Sequence, residues 1–129
     1  MFVPLKVTTD YTVMKSLIPV SSLIKKCSDS SISVCGICDE NLYGVMEFYN
    51  SCLEAHIKPI IGLEVEINHV PFYLYARNYE GYLGLLKIHT KKEKGELGII
   101  DIEMYQELLN IVLPYASISF YSTYQKAFS

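Results

Sequence analysis

The sequence predicts an α/β protein in which strands and helices alternate as βα units around a mostly parallel sheet. One observation is an amphipathic helix, Asn41 to Ile57, followed at once by a strand of branched apolar residues, Pro59 to Ile67. Another is that this alternation continues through all 129 residues without a linker, repeat or low-complexity tract. A closed βα barrel needs roughly 200–250 residues. The chain therefore has the length of about the first half of such a barrel, as one domain.

The N-terminal part is predicted to contain a strand, a helix and a second strand. Phe2 to Val7 alternates as a strand does. Pro19 fits the first turn of a short helix. The apolar stripe of this helix consists of Val20, Leu23, Ile24 and Cys27. Ser31 to Cys38 then follows as the second strand.

The central helix and strand place two carboxylates beside apolar structure. The predicted apolar face of the helix consists of Leu42, Val45, Met46, Tyr49, Leu53 and Ile57. Lys58-Pro59 ends the helix. Glu64 lies inside the following strand, and Asp39 lies at the end of the preceding one. Acid groups at the carboxyl ends of strands are where βα folds place chemistry.

The C-terminal half begins with a predicted hairpin and a third helix. Asn68-His69 is typical of a turn, and Phe72 to Ala76 is the expected second strand of the hairpin. Asn78 can cap a helix. One side of that helix is predicted to consist of Tyr82, Leu85, Leu86 and His89.

A charged loop and two short elements are predicted to follow. Lys91 to Gly98 has the composition of a loop. Asp101 is expected to cap a fourth helix that extends through Met104, Tyr105, Leu108 and Leu109. Ile111 to Tyr121 holds the last predicted strand.

Composition limits the classes of function. A net charge of −3 argues against a broad basic face for nucleic acid. Lys6 and Asp10 interrupt any N-terminal signal sequence. Leu108 to Tyr121 is too short to span a membrane and contains Asn110 and Pro114. The sequence therefore predicts a cytoplasmic protein. Because half of its residues are hydrophobic, we expect a partner, further sequence or self-association to cover part of its surface.

The four cysteines are predicted to be structural. Cys27 and Cys52 lie on apolar helix faces, where a free cysteine packs as a small hydrophobic residue. Cys35 and Cys38 form a C-x-x-C spacing, but within a predicted strand, where they would point to opposite faces. A redox pair normally lies at a helix N-terminus, and a zinc site needs a second such pair.

Four blocks of the sequence resemble the N-terminal PHP (polymerase and histidinol phosphatase) domain of bacterial DNA polymerase III alpha subunits. FVPLKVTTDYT, from Phe2, is similar to the family's FVHLHVHSEYS. ICDENLYGVMEFYNSC, from Ile37, resembles LTDHGNLFGAVEFYKAC, with one residue fewer after Glu40. IKPIIGLEVEI, from Ile57, resembles IKPIIGCEVYV, and FYLYARNYEGYLGLLKI, from Phe72, resembles HLVLLAKNEEGYRNLLKL. The resemblance implies the first half of a PHP-type, distorted TIM-like barrel, and it weakens after Lys91.

The resemblance also implies that a metal site has been lost. Active members bind several metal ions through histidines and carboxylates at strand ends, and these ions support phosphoester cleavage. The corresponding positions in this chain are Pro4, Lys6, Thr8, Asp39, Glu40 and Glu64. The first three cannot replace imidazole ligands, since proline has no ligand atom, lysine is protonated and threonine is a poor ligand. We therefore expect no bound metal and no catalytic residue.

Two of these positions have more than one interpretation. The Lys6 ammonium is predicted either to lie between Asp39 and Glu64 as a fixed replacement for the lost ions, or to be solvated. Asp39 is expected to cap the helix that follows, a role that is compatible with its persistence as a former ligand.

The remaining polar groups have simpler expected roles. His56, His69 and His89 do not share a metal-ligand spacing and are interpreted as structural or surface residues. The cluster of Lys91, Lys92 and Lys94 is either a solvated loop or, less favoured, a phosphate contact. The eleven tyrosines are assigned to packing rather than to base stacking.

The functional hypothesis is a PHP region of a replicative DNA polymerase with a degenerate metal site. The resemblance implies a parent enzyme that uses magnesium and binds DNA, with its palm, fingers and thumb outside these residues. It also implies packing on the rest of the polymerase and docking of a proofreading exonuclease. The chain ends at Ser129 with no stop feature, so we expect it to be part of a longer polypeptide. The alternatives are a metal-dependent phosphoesterase or exonuclease of the PHP family, and a stand-alone interaction module.

Overall fold

The first helix, α1, forms where the sequence places the first apolar stripe. The computed structural model describes residues 6–9 and 18–113, and α1 comprises Val20–Asp29. Its buried residues are Val20, Leu23, Ile24 and Cys27, so the predicted stripe is confirmed. Pro19 was predicted within the first turn, but it precedes the helix as its N-cap.

Strand β1 and helix α2 are both shorter than predicted. Strand β1 comprises Val34–Asp39, and α2 comprises Val45–Glu54. The late start of α2 has a local cause, because the Asn41 Oδ1 accepts a hydrogen bond from the Tyr43 N–H at 3.1 Å and holds a turn instead. Of the strand predicted at Phe2 to Val7, the structure describes only the end. There, residues 6–9 have no regular strand assignment.

The buried face of α2 differs from the predicted face. Val45, Phe48 and Cys52 are buried within the helix. Met46, Tyr49 and Leu53, which were predicted to face the core, are 63%, 43% and 51% exposed. Apolar residues therefore cover more than one face of α2, and part of this apolar surface is not covered by the described residues.

Helices α1 and α2 end in the same way, with a residue in the left-handed conformation. Ser31 (φ 58°) and His56 (φ 59°) occupy the position after each C-cap. In α1, the Ile32 N–H donates to the Cys27 carbonyl at 2.8 Å, and in α2 the Ile57 N–H donates to the Cys52 carbonyl at 2.8 Å. This is the Schellman pattern, which usually carries glycine at that position.

Replacing Ser31 or His56 with glycine is expected to stabilise the protein. Each change removes a left-handed side-chain penalty of about 1 kcal/mol, partly offset by the greater freedom of glycine in the unfolded chain. Urea unfolding should show a small increase in stability for each. Gly95, which ends α3 with φ 72° and has nothing near its Cβ position, is the matched control. Gly95→Ala should destabilise, and a loss of stability in the two glycine variants would contradict the assignment.

The predicted hairpin is confirmed. Strand β2 comprises Lys58–Ile67 and β3 comprises Val70–Ala76, joined by the two residues Asn68 and His69. Both turn residues have positive φ, 52° and 66°, as a type I′ turn requires. Asparagine tolerates this conformation well, which explains why Asn68 is suited to the turn.

The third helix, α3, comprises Tyr79–Glu93, and Asn78 caps it as predicted, through a 2.9 Å hydrogen bond from the Gly81 N–H to Asn78 Oδ1. Helix α4 is shorter than predicted and comprises Ile99–Met104. A 3₁₀ turn, Gln106–Leu108, leads into strand β4, Leu109–Val112. The last strand therefore begins before the predicted Ile111, and the part of that prediction after Leu113 lies outside the described residues.

The buried face of α3 is also rotated from the predicted one. It consists of Gly81, Gly84, Leu85 and Ile88, whereas Leu86 is exposed. The two glycines allow close approach: a Cβ on Gly81 would lie 2.4 Å from the Leu108 carbonyl oxygen, and one on Gly84 would lie 3.2 Å from the Tyr105 ring. Helix α3 therefore packs through its backbone against the 3₁₀ turn and the residue before it.

The strands form one sheet in the order β1-β2-β3-β4. Strands β2 and β3 form the hairpin, and β3 and β4 are antiparallel with Leu74 opposite Ile111, so the prediction of a mostly parallel sheet is wrong for the described strands. The chain divides into two compact units, Met1–Gly62 and Leu63–Ser129. In the first, the core is formed by α1, β1 and α2. In the second, α3 packs on β3.

None of the helices in the described part of the chain is long and apolar enough to cross a membrane.

Candidate functional site

The end of β1 holds the most deeply buried carboxylate of the candidate site. Asp39, the last residue of the strand, is 2% exposed, and Thr9 beside it is fully buried. The Thr9 N–H donates to Asp39 Oδ1 at 2.6 Å, and the Thr9 hydroxyl donates to Asp39 Oδ2 at 2.7 Å. Hydrogen bonds to an ionised acceptor are short and strong. Thr9 therefore engages both oxygens of Asp39.

The Lys6 ammonium lies next to this pair in the same unit. It donates to the Cys38 carbonyl at 3.0 Å and to the Thr8 hydroxyl at 2.9 Å. The Cys38 N–H in turn donates to the Val7 carbonyl at 2.8 Å, so residues 6–9 run beside the end of β1. The Lys6 ammonium thus contacts the main chain of Cys38, the residue before Asp39. Its salt bridge with Asp39 and Glu64 stays a prediction.

Sequence analysis missed Thr9. In an extended segment, successive side chains point to opposite sides, so Lys6 and Thr8 share a side and Thr9 takes the other. The contact between Lys6 and Thr8 agrees with this alternation. The sequence pattern Lys-Val-Thr-Thr thus contained the information that Thr9 faces away from Lys6, but not that Asp39 would meet it.

The predicted role of Asp39 as a helix cap is wrong. Helix α2 begins at Val45 with Gly44 as its N-cap and no side-chain cap. The turn from Asn41 separates Asp39 from the helix, and the carboxylate binds Thr9 instead.

Lys6 and Thr8 stand where the resemblance implies histidine ligands to a cluster of metal ions. Metal ligands must be deprotonated, and an ammonium beside the cluster repels cations. Thr9 donates one hydrogen bond to each oxygen of Asp39, while Glu40 and Glu64 are half-buried. Within residues 6–9 and 18–113, no group of three histidine, cysteine or acidic side chains is arranged to hold a metal ion. Pro4, the remaining position, lies outside these ranges.

The three histidines belong to different elements of the fold. His56 is exposed at the end of α2, and His69, with a side chain 97% exposed, lies 3.4 Å from Glu66. The Nε2 of His89 lies 3.2 Å from a Glu93 carboxylate oxygen, and burial lowers the pKa of this imidazole. Their interpretation as structural or surface residues stays a prediction.

The lysine cluster lies at the end of α3, so the prediction of a loop from Lys91 to Gly98 is wrong for its first three residues. Lys91 and Lys92 belong to the last turn of α3. The Lys91 ammonium lies 2.6 Å from Asp101 Oδ1, and the Lys92 ammonium donates to the Glu64 carbonyl at 3.3 Å. Asp101, predicted as an N-cap, is the third residue of α4, and its Oδ2 accepts the Gly98 N–H at 2.9 Å.

This ion pair predicts a dependence of stability on pH. The hydrogen bond from Lys91, with that from the Gly98 N–H, lowers the pKa of the Asp101 carboxyl below its usual value. A lowered carboxyl pKa contributes stability above the unfolded-state pKa of about 3.9, and the contribution is lost as the pH falls through the folded-state pKa. Asp101→Asn should therefore be less stable than the wild type at pH 7, and this difference should shrink as the pH falls below about 3.9.

Urea midpoints at the two pH values measure this difference. Lys91→Gln should behave like Asp101→Asn, whereas Lys94→Gln, an exposed neighbour, should leave the midpoint unchanged at both. A difference between the wild type and Asp101→Asn that is as large at pH 3 as at pH 7 would contradict the role of the ion pair.

All four cysteines are buried, free thiols in the first unit. Cys35 and Cys38 both lie in β1, as predicted. Cys27, Cys35 and Cys52 share the core between α1, β1 and α2. Burial raises the pKa of Cys35 and raises that of Cys52 to about 12, so these thiols are protonated and unreactive at neutral pH.

A comparison with known protein families assigns the chain to one of them. The model of the PHP domain family matches residues 4–126, nearly the whole chain. The chain therefore belongs to the PHP domain family, which confirms the resemblance of its four sequence blocks.

Its relatives identify the branch of that family. The chain is 38% identical over 98 residues to the DNA polymerase III subunit alpha of Ureaplasma parvum, covering 72% of this chain and 10% of the relative. It is 34% identical over 119 residues to that of Streptococcus pyogenes, covering 88% of this chain and 12% of the relative. The chain is thus a PHP domain homologous to the N-terminal region of these subunits, and it spans about a tenth of their length.

A solved structure has a similar fold. An amidohydrolase from Chromobacterium violaceum, with bound sulfate and no metal, aligns with a TM-score of 0.50 and 12% identity. The alignment covers 81% of this chain and 38% of the amidohydrolase chain. At this identity the similarity concerns the fold alone.

Proposed function

We propose that this chain is the PHP region of a replicative DNA-directed DNA polymerase, and that it acts as a structural and docking domain without metal-dependent catalysis. Its sheet would form part of a PHP-type barrel within a longer cytoplasmic polypeptide. The parent enzyme would extend DNA primers with magnesium, through residues that are not in this chain. DNA would be bound by the parent rather than by this domain.

The contact between Thr9 and Asp39 carries the proposal. A metal-activated hydroxide needs several carboxylate and imidazole ligands directed at the ion. Here the Asp39 oxygens accept hydrogen bonds from Thr9 at 2.6 and 2.7 Å, and a lysine stands where the family places a ligand. The Lys6 ammonium, 3.0 Å from the Cys38 carbonyl, supplies a positive charge without any metal ion. These contacts favour a stabilising role for the former site.

The exposed side of α2 supports the docking role. Met46, Tyr49 and Leu53 lie at spacings of three and four residues and form a stripe, here called the α2 stripe. Exposed contiguous apolar side chains commonly mark interaction surfaces. The proposed occupant is the remainder of the polymerase polypeptide, and a proofreading exonuclease subunit is the second partner that the family resemblance implies.

Metal content tests the loss of the site. Protein purified without chelator is incubated with zinc, manganese or magnesium, desalted, and measured by elemental mass spectrometry. We expect far less than one equivalent of each metal. Asp39→Asn is the matched control and should give the same value. Near-stoichiometric metal that is lost in Asp39→Asn would contradict the proposal and favour the alternative, a metal-dependent phosphoesterase.

A chimera tests the docking role separately. This chain replaces the matching 119-residue segment of the Streptococcus pyogenes subunit, and the double variant Met46→Lys/Leu53→Lys is compared with it. In the isolated chain these exposed changes should alter the free energy of unfolding by less than about 0.5 kcal/mol. In the chimera they should lower the melting temperature and the rate of primer extension. Equal behaviour of the two chimeras would exclude the α2 stripe as the docking surface.

A further inference from the structure

Helix α3 has apolar residues on two opposite sides. Gly81, Gly84, Leu85 and Ile88 face the interior. Tyr79, Leu83 and Leu86, at spacings of four and three residues, are 71%, 39% and 37% exposed. With 3.6 residues per turn, this exposed stripe lies on the side of the helix away from the buried one. It is called the α3 stripe below. A helix that is apolar on both sides usually lies between two packed layers.

Charged residues border the α3 stripe in an ordered way. Glu80 and Lys87 are both exposed and lie seven residues, or two turns, apart, so they are aligned along the same flank of the stripe. One is acidic and nearer the start of the helix, and the other is basic and nearer its end. In an antiparallel pair of such helices, each Glu80 would therefore meet the Lys87 of the other.

The apolar and charged positions share a common centre. The midpoint between Tyr79 and Leu86 and the midpoint between Glu80 and Lys87 both fall within one residue of Leu83. Along the helix axis this is a difference of at most about 1.5 Å. A two-fold axis near Leu83 would thus pair Tyr79 with Leu86 and Glu80 with Lys87 at the same time. An isologous interface requires this self-complementarity, in which residue i meets j and j meets i.

We propose that the α3 stripe is a self-association surface, on which a second copy of this chain packs antiparallel across a two-fold axis near Leu83. The interface consists of Tyr79, Leu83 and Leu86, closed by two symmetric ion pairs between Glu80 and Lys87. A single helix face is smaller than the standard interface of about 800 Å² per partner, so the association is weak and depends on concentration. This interaction lies outside the polymerase role proposed above and does not depend on it.

Sedimentation velocity over a range from about 10 μM to 1 mM tests the proposal, since weak interfaces of this size associate within it. The wild type should shift from monomer to dimer within this range. Leu83→Lys places two ammonium groups at the two-fold axis and should abolish the shift. Met46→Lys, the same type of apolar-to-charged change in the α2 stripe, should leave the shift to dimer unaltered. If the wild type is monomeric throughout, or if Met46→Lys abolishes association, the proposal is wrong.

Charge exchange tests the two-fold geometry itself. Glu80→Lys and Lys87→Glu each create like-charge pairs and should weaken association about tenfold. The double variant Glu80→Lys/Lys87→Glu should recover wild-type association. A mixture of the two single variants should also recover it, because a heterodimer then restores opposite charges. Circular dichroism melts check that each variant is folded. Association unchanged in both single variants, or no recovery in the mixture, would overturn the antiparallel arrangement.

Discussion

Replacing Gly81 with alanine is expected to destabilise the protein strongly, although alanine is the better helix former. The added Cβ would lie 2.4 Å from the Leu108 carbonyl oxygen, a main-chain atom that no side-chain rotation can move. We expect a loss of about 3 kcal/mol after the gain in helix propensity of about 1 kcal/mol. For a chain of this size, that loss corresponds to a fall of roughly 10 °C in the melting temperature.

Gly84→Ala is the matched control for this prediction. It lies in the same helix and gains the same propensity, but its Cβ would meet the Tyr105 ring at 3.2 Å, and a side chain can move. Its cost should be about 1 kcal/mol or less. Thermal melts of the two variants measure the difference. Equal stability of Gly81→Ala and Gly84→Ala would mean that α3 does not pack through its backbone at Leu108.

Asp39→Ala is expected to cost about 3 kcal/mol, because it leaves two buried donors of Thr9 without an acceptor. The affected bonds are the 2.6 Å contact of the Thr9 N–H and the 2.7 Å contact of its hydroxyl. Thr9→Val, which removes only the hydroxyl, should cost about 1–2 kcal/mol. Urea unfolding of the two single variants and the double variant measures their coupling.

The double-mutant cycle separates this contact from general packing. Once Asp39 is alanine, Thr9→Val should cost little or should even stabilise, because it removes an unsatisfied hydroxyl. Asp39→Asn retains an acceptor for one donor and should be intermediate. Strict additivity of Asp39→Ala and Thr9→Val would contradict a direct energetic link between the two side chains.

Elements with a single apolar side could be predicted closely from sequence. Helix α1 has polar residues on every side but one, so its buried set of Val20, Leu23, Ile24 and Cys27 follows from spacing alone. The β2-β3 turn at Asn68-His69 was also predictable, since its chemistry is local.

Helices with apolar residues on more than one side could not be oriented in this way. In α2, Phe48 and Cys52 face the core while Tyr49 and Leu53 do not, although both pairs are apolar at helical spacing. Periodicity reveals that a helix forms, but the choice of face depends on the neighbouring elements, which the spacing does not contain. The start of α2 was missed for a different reason, because Asn41 stabilises a turn in competition with the helix.

The candidate site was predictable in its members but not in their contacts. Asp39 was found from its place at the end of a strand, yet its partner Thr9 lies thirty residues earlier in the chain. The ion pair of Lys91 could not be predicted, because its partner Asp101 lies beyond an intervening turn. Such contacts arise from tertiary structure, and only the type of side chain, not its partner, can be inferred from sequence order.

The location of the thiols allows the opening of the first unit to be measured separately from that of the second. All four cysteines lie before Gly62, and none occurs in the second unit. Because each is buried, an alkylating reagent can reach them only when this part of the chain opens. The rate of labelling therefore counts openings of one half of the molecule, while tyrosine fluorescence follows both halves. Comparing the two would reveal whether the halves unfold as one cooperative body or as two.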